Sequence, residues 1–337
     1  MFVKNFIIYR KPDEENITQF NIEKVVSESE FVKIGGFVMA PFDIKSSALY
    51  FTGHETEYKA IQKPVEKTYL NKRKDDLKYK SAIDSAISSV QNNALQKVVV
   101  SRQILLDGKL NAREVFVDLL ENQKNAFVYY LCLNDVVYIG ASPEVLIKKT
   151  GNSLNSASLA GTVAKSADGQ FNPWTEKEYH EHKLVTETIA NVYERHCKKV
   201  LISDRGELSA SNVKHLFQSI TGELKKDQSL FQVLKELHPT PAIAGIPRDK
   251  AINWITQNER YDRDYYAGYL GVYSPEKADL FVNLRCLKYQ NEITTLYVGG
   301  GIVEGSTFEG EYQETKHKAE TLLSSIRKFH TIKLEHE

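Results

Sequence analysis

Hydrophobic and polar positions are patterned unevenly along this chain. Over the first 95 residues the pattern is sparse. Short apolar runs at residues 6–9 and 31–39 predict strands, the second alternating as Phe31-Val-Lys-Ile-Gly-Gly-Phe-Val before its glycine turn. Residues 63–80, rich in Lys, Glu and Asp, read as a solvated connector into a helix over about residues 77–92. From residue 98 the texture changes. Val98-Val-Val-Ser-Arg-Gln-Ile-Leu-Leu predicts a strand by its β-branched content. Further strands are expected over 127–133, 136–139 and 144–149, with Asn134-Asp135 as a hairpin turn. The strongest helix spans 175–199, with Thr175 as N-cap, acids in its first turn and bases in its last. A strand over 213–221 follows, then helices over 230–237 and 248–258, strands over 269–273, 280–289 and 293–298, and a helix over 311–329. Strands arrive in blocks with helices inserted between them, which predicts an α+β fold with largely antiparallel sheets. With no repeat and no clear linker, residues 1–337 are expected to form one domain, with a variable part over 1–95 and a core over 96–330.

Composition narrows the function classes. Lys+Arg and Asp+Glu both number 44, so the chain lacks the basic excess of a nucleic-acid binder. Hydrophobic residues at 42% supply enough apolar surface for a folded core. No apolar run reaches the roughly 18 residues of a membrane span, and MFVKNFIIYR is too short for a secretory signal. Cys132, Cys197 and Cys286 are scattered and odd in number, which fits buried thiols in a reducing compartment. A cytoplasmic protein is expected.

Candidate chemistry begins with two acidic pairs. Glu178 and Glu181 lie three apart at the start of one predicted helix, and Glu311 and Glu314 repeat the spacing at the start of another. That spacing puts both carboxylates on one helical face. Two such faces could enclose a hard cation, for which oxygen ligands favour Mg2+. Acids near helix N-termini are also favoured by the dipole alone, so each pair has an ordinary explanation. Gly299-Gly300-Gly301 could expose backbone N–H groups to a carboxylate or phosphate, or mark a bulge or bend in a sheet. Lys97 precedes an apolar strand and Glu144 sits between two strands, where burial could tune a base and an acid. Taken singly, these two and the histidines His215 and His238 read as ordinary strand-end residues.

The order of these signals resembles the chorismate-utilising enzyme family. The matching segments include Lys97-Val-Val-Val-Ser-Arg, Gly140-Ala-Ser-Pro-Glu144, Ser158-Leu-Ala-Gly-Thr162 and Glu178-Tyr-His-Glu-His182. They continue with Val213-Lys-His-Leu, His238-Pro-Thr-Pro-Ala-Ile-Ala-Gly-Ile-Pro-Arg248, Tyr266-Ala-Gly268, Asn283-Leu-Arg285, Gly299-Gly-Gly-Ile-Val303 and Glu311-Tyr-Gln-Glu-Thr315. The resemblance covers about residues 97–318. It implies a sandwich of antiparallel sheets with helices outside and the active site in a cleft. It also implies that Glu181 and Glu314 bind Mg2+ directly, with Glu178 and Glu311 completing the acidic shell, partly through water. Tyr266, Arg285 and the backbone at Gly301 would hold the enolpyruvyl carboxylate of chorismate, and Gly161, Thr162, His215, Ala242 and Lys318 would line the same pocket. Lys97 would be the general base and Glu144 the general acid.

Three positions resemble the isochorismate synthase branch. Lys97 stands where water-using members carry lysine and anthranilate synthases carry glutamine, so no ammonia-delivering amidotransferase subunit is expected. Ala160 stands where aminodeoxychorismate synthases carry a nucleophilic lysine. Ala242 stands where salicylate and anthranilate synthases tend to have threonine. The implied reaction is attack of water at ring carbon 2 of chorismate with loss of the hydroxyl at carbon 4, feeding menaquinone or siderophore synthesis. A salicylate synthase and a catalytically silent chorismate-binding sensor are the competing readings. A monomer or weak homodimer is expected. Two positions depart from the branch: Arg263-Asp264 replaces its usual Arg-Gly, and Ser306-Thr-Phe-Glu-Gly replaces a segment that usually contains proline.

Overall fold

The structure, a computed structural model, describes residues 5–60, 65–73, 78–166, 168–210 and 213–334. The architecture is α+β, built on a large sheet whose pairings are antiparallel except that of Thr68–Lys72 with His330–Leu334 among the described residues. The sheet is a ribbon that folds back on itself. Its first half runs from His330–Leu334 through Thr68–Lys72, Lys97–Asp107, Ile293–Ile302, Cys286–Gln290, Val136–Ser142 and Phe127–Leu133 to Phe6–Arg10. The second half runs from Thr18–Val26 through Leu49–Glu57, Gly36–Ala40, Tyr269–Tyr273, Lys277–Val282, Val145–Thr150 and Ser153–Ala164 to Val213–Leu224.

Apolar faces of the two halves meet in one core. Phe127 from the first stacks on Phe281 from the second at 4.6 Å, and Tyr9 packs on Phe37 at 5.9 Å. Aromatic pairs at such separations add to simple area burial. A second cluster lies under the helices Ala112–Asn122 and Phe308–Phe329, where Leu119, Leu322 and Ile326 cover Leu106 and Leu296 of the sheet. No helix among the described residues is long and apolar enough to cross a membrane.

Local physics overrode the sequence pattern at several places. Phe31 to Ile34 belong to the helix Glu28–Ile34, not to a strand. Ser27 caps that helix by accepting from the Glu30 N–H, and Gly35 ends it at φ 87°. The 63–80 connector contains the strand Thr68–Lys72, whose Leu70 is fully buried; residues 63–64 and 74–77, including the expected helix start, lie outside the described residues. The long helix is Glu176–His196, and Cys197–Ile202 is already a strand paired with Val213–Leu224. The strand expected over 280–289 is two, Lys277–Val282 and Cys286–Gln290. Asn283, Leu284 and Arg285 break it, with Arg285 at φ 47°. Thr18–Val26, Leu49–Glu57, Ala112–Asn122, Ser153–Ala164, Gly206–Ala210, Gly245–Ile246 and His330–Leu334 carried too little pattern to be foreseen.

Candidate active site

One pocket collects most of the residues singled out in the sequence. Lys97, Glu144, Gly161, Thr162, Glu181 and His215 line it, as do Ala242, Tyr266, Arg285, Gly301, Glu314 and Lys318. Glu311 lies just behind this wall and Glu178 stands outside it. His238 is buried nearby against Pro41 rather than in the pocket.

The sheet supplies one side. Lys97 opens the strand Lys97–Asp107, is 1% exposed, and donates to Glu181 Oε1 at 2.8 Å. Beside it runs Ile293–Ile302, with Gly299, Gly300 and Gly301 opposite Ser101, Val100 and Val99 in unbroken register. The glycine triplet is therefore neither a bulge nor a bend. Its purpose is room: a Cβ at Gly300 would lie 2.9 Å from Glu311 Oε2, and one at Gly301 would lie 3.0 Å from Lys97 Cε. Glu144 sits where the two halves of the ribbon cross, between Val136–Ser142 and Val145–Thr150. Burial pushes its carboxyl up to about 7, against the pull of Lys97, Lys318 and Arg285.

The helices supply the acids. Phe308–Phe329 is capped by Thr307, and its Glu311 points inward, 2% exposed. Glu311 Oε1 accepts from Ser306 Oγ at 2.8 Å and from Lys177 Nζ at 3.3 Å, while Oε2 is buried with no hydrogen-bond partner. Burial and then the neighbouring Glu314 raise the Glu311 carboxyl to about 6. Glu314 is half-buried, and Lys318 at 2.7 Å prevails over its desolvation and holds it ionised below the usual carboxylate range. On Glu176–His196, Glu178 accepts from the Thr175 N–H at 2.9 Å in a capping box. Gly161, at φ 71° in a bulge of Ser153–Ala164, lets that first turn approach; a Cβ there would lie 2.7 Å from the Glu178 carbonyl oxygen.

Polar contacts complete the walls. Thr162 Oγ1 and His215 Nδ1 are 2.9 Å apart, and burial together with Lys318 and Arg285 lowers His215 to about 4, so its imidazole is neutral near pH 7. Asn283 orders the break beside Arg285, accepting from Tyr129 Oη at 2.7 Å and donating to the Tyr265 carbonyl at 2.8 Å. The departure at Asp264 is accommodated: it adopts φ 53°, and its carboxylate accepts from Tyr138 Oη at 3.0 Å and Lys288 Nζ at 2.9 Å. Lys177 went unforeseen. Its signal was a lysine in the first turn of a helix, where the dipole disfavours positive charge.

The donor set suits a hard divalent cation. Glu181, Glu311 and Glu314 offer only oxygen, and Glu311 Oε2 is a buried acceptor lacking a donor. Glu178 would have to leave its capping box to join them. Among the described residues no three acids, histidines or cysteines form a closed metal-ligating group; Lys97, Lys177 and Lys318 pair with the three glutamates instead.

A family profile described as "Chorismate binding enzyme" matches residues 44–327. The chain belongs to that family. Among its relatives are isochorismate synthase MenF of Bacillus subtilis (strain 168), 32% identical over 75% of this chain and 56% of that protein, and the vibriobactin-specific isochorismate synthase of Vibrio cholerae, 30% identical over 73% and 66%. The chain thus spans between half and two thirds of the curated relatives it matches. Solved structures share the fold. The putative 2,3-dihydroxybenzoate-specific isochorismate synthase DhbC of Bacillus anthracis aligns with a TM-score of 0.83, 24% identity and 96% of both chains. Anthranilate synthase component I of Streptococcus pneumoniae aligns with a TM-score of 0.71, 19% identity, 96% of this chain and 92% of that one. The family's fold, expected from the motifs, is the fold observed.

Proposed function

We propose that this chain converts chorismate to isochorismate in the pocket between Lys97 and Glu144, with Mg2+ held by Glu181, Glu311 and Glu314. The observation that carries the reading is the pairing of a buried lysine with a buried carboxyl held near 7 in one pocket. A carboxyl tuned to that range is protonated often enough to act as an acid and gives up its proton readily. Glu144 protonates the hydroxyl leaving ring carbon 4. Lys97 accepts a proton from the water that attacks carbon 2. Arg285, Tyr266 and the Gly301 backbone hold the enolpyruvyl carboxylate, and the neutral His215 with Thr162 presents hydrogen bonds without adding charge. A bound Mg2+ would neutralise the ring carboxylate and orient the ring. Glu181 accepts from Lys97 and also faces the acidic wall, so a cation held there would compete with the lysine for this carboxylate.

Water as the nucleophile requires no ammonia-delivering partner. The test is chromatography of the products formed from chorismate with and without EDTA. Isochorismate that disappears on chelation is expected; salicylate with pyruvate would move the chain to the salicylate synthase branch. Lys97→Ala should abolish turnover while Mg2+-dependent chorismate binding persists in calorimetry, and retained turnover would remove Lys97 from the base role.

A further inference from the structure

Behind the pocket, away from the acids, lies a buried ion pair that the chemistry above does not use. Glu259 closes the helix Arg248–Asn258, and Arg263 follows four residues on; both side chains are 2% exposed. Glu259 Oε1 accepts from the Ser101 N–H at 2.6 Å, Ser101 Oγ at 3.0 Å and Arg263 Nη2 at 2.6 Å, and Oε2 accepts from Arg263 Nε at 2.8 Å. The guanidinium also donates from Nη2 to the Val99 carbonyl at 2.8 Å and from Nη1 to the Ile243 carbonyl at 2.9 Å. Phe42 covers its face at 4.3 Å. The Arg263 carbonyl accepts from the Tyr266 N–H at 2.9 Å.

Stability alone gives no reason for this arrangement. A buried ion pair must offset a large desolvation cost, and apolar replacements of similar volume are often as stable or more so. What the pair does that apolar residues cannot is hold three separate backbone segments in one register. Val99, Ile243 and Tyr266 all line the pocket. Val99 lies two residues from Lys97 on the same strand, Ile243 follows Ala242, and Tyr266 turns its hydroxyl towards Gly299.

We infer that Glu259 and Arg263 are positioning residues for the reaction. Their forked hydrogen bonds fix the strand of Lys97, the loop of Ala242 and the turn of Tyr266 relative to one another. The inference rests on the pocket being the site of reaction. Only a planar fork of donors serves the carboxylate and both carbonyls at once; a lysine ammonium keeps the charge but cannot span them.

Arg263→Lys tests this, because it preserves the buried charge pair and removes the fork. The expected result is a melting midpoint lowered by a few degrees, from the carbonyls left without donors, with kcat per folded molecule lowered about 10- to 100-fold and KM little moved, the signature of a misplaced reacting group. Wild-type kcat per folded molecule would overturn the inference. Should Arg263→Lys fail to fold, Ser101→Ala replaces it: several-fold lower kcat at an unchanged melting midpoint is expected, and wild-type kcat again overturns the inference. Hydrogen exchange separates this result from failure of the functional reading. If the wild type leaves chorismate unchanged, the proposed function fails, yet faster exchange at the Val99, Ser101 and Tyr266 amides in the variant still supports the positioning role. Wild-type exchange there would contradict it.

Discussion

The two acid-bearing helices carry the same spacing and use it differently. Glu176–His196 begins after Thr175, so Glu178 is its third residue, the position from which a glutamate reaches back to the cap. Phe308–Phe329 begins after Thr307, so Glu311 is its fourth residue and turns into the interior. One residue of offset from the cap separates a carboxylate that closes a helix end from one that waits, partly unpaired, behind a pocket. The second acid of each pair, Glu181 or Glu314, lines the pocket in both cases. Spacing thus specifies that two carboxylates share a face; the cap decides what the first of them does.

Substitutions rank these roles. Glu181→Gln and Glu314→Gln should cost most, about 4 kcal/mol of transition-state stabilisation or on the order of 1000-fold in kcat/KM, read by steady-state kinetics at saturating Mg2+. Glu311→Gln should lower Mg2+ affinity by about 10- to 100-fold in a binding titration. An unchanged isotherm would put Glu311 in the same structural class as Glu178.

The sheet-borne acid answers to pH instead. In the proposed mechanism Glu144 acts in its protonated form, so turnover should fall about tenfold per pH unit above 7, and Glu144→Gln should flatten that limb of the profile. Because its carboxyl is raised from 4.5 to about 7 on folding, the native state binds the extra proton between those values. Its contribution to stability is complete below pH 4.5, declines as pH rises to 7, and is absent above; Glu144→Gln should remove that slope from the denaturation curves.

Glu178→Gln should do least. A glutamine still serves a capping box, so stability should fall by less than about 1 kcal/mol and turnover should change by less than tenfold. A loss equal to that of Glu181→Gln would erase the difference between the two helices.

The motif-bearing stretch over residues 97–318 was far more legible in sequence than the rest. Helix limits at Leu230–Leu237 and Arg248–Asn258 follow directly from apolar periodicity. Twelve of the fourteen site residues line one pocket because motif order, not any single residue, pointed to them. Legibility failed where the buried face carries serines, as Ser156 and Ser158 do in Ser153–Ala164, so that hydrophobicity does not follow burial, and where a cap outweighed pattern, as at Phe31. The chain break at Asn283 to Arg285 was hidden because Leu284 continues the apolar run while Arg285 takes a positive φ. Glu259 and Arg263 were invisible for another reason: a charged pair four apart on a chain usually marks a solvated surface, and only the fold shows that Val99, Ile243 and Ser101 surround it.

The most direct test of the account is the origin of the new oxygen. Chorismate turned over with Mg2+ in heavy-oxygen water should yield isochorismate carrying one heavy oxygen at ring carbon 2, detected by mass spectrometry, because the proposed role of Lys97 is to activate solvent rather than to attack the ring itself. Isochorismate without the label would contradict water attack, and with it the assigned roles of Lys97 and Glu144.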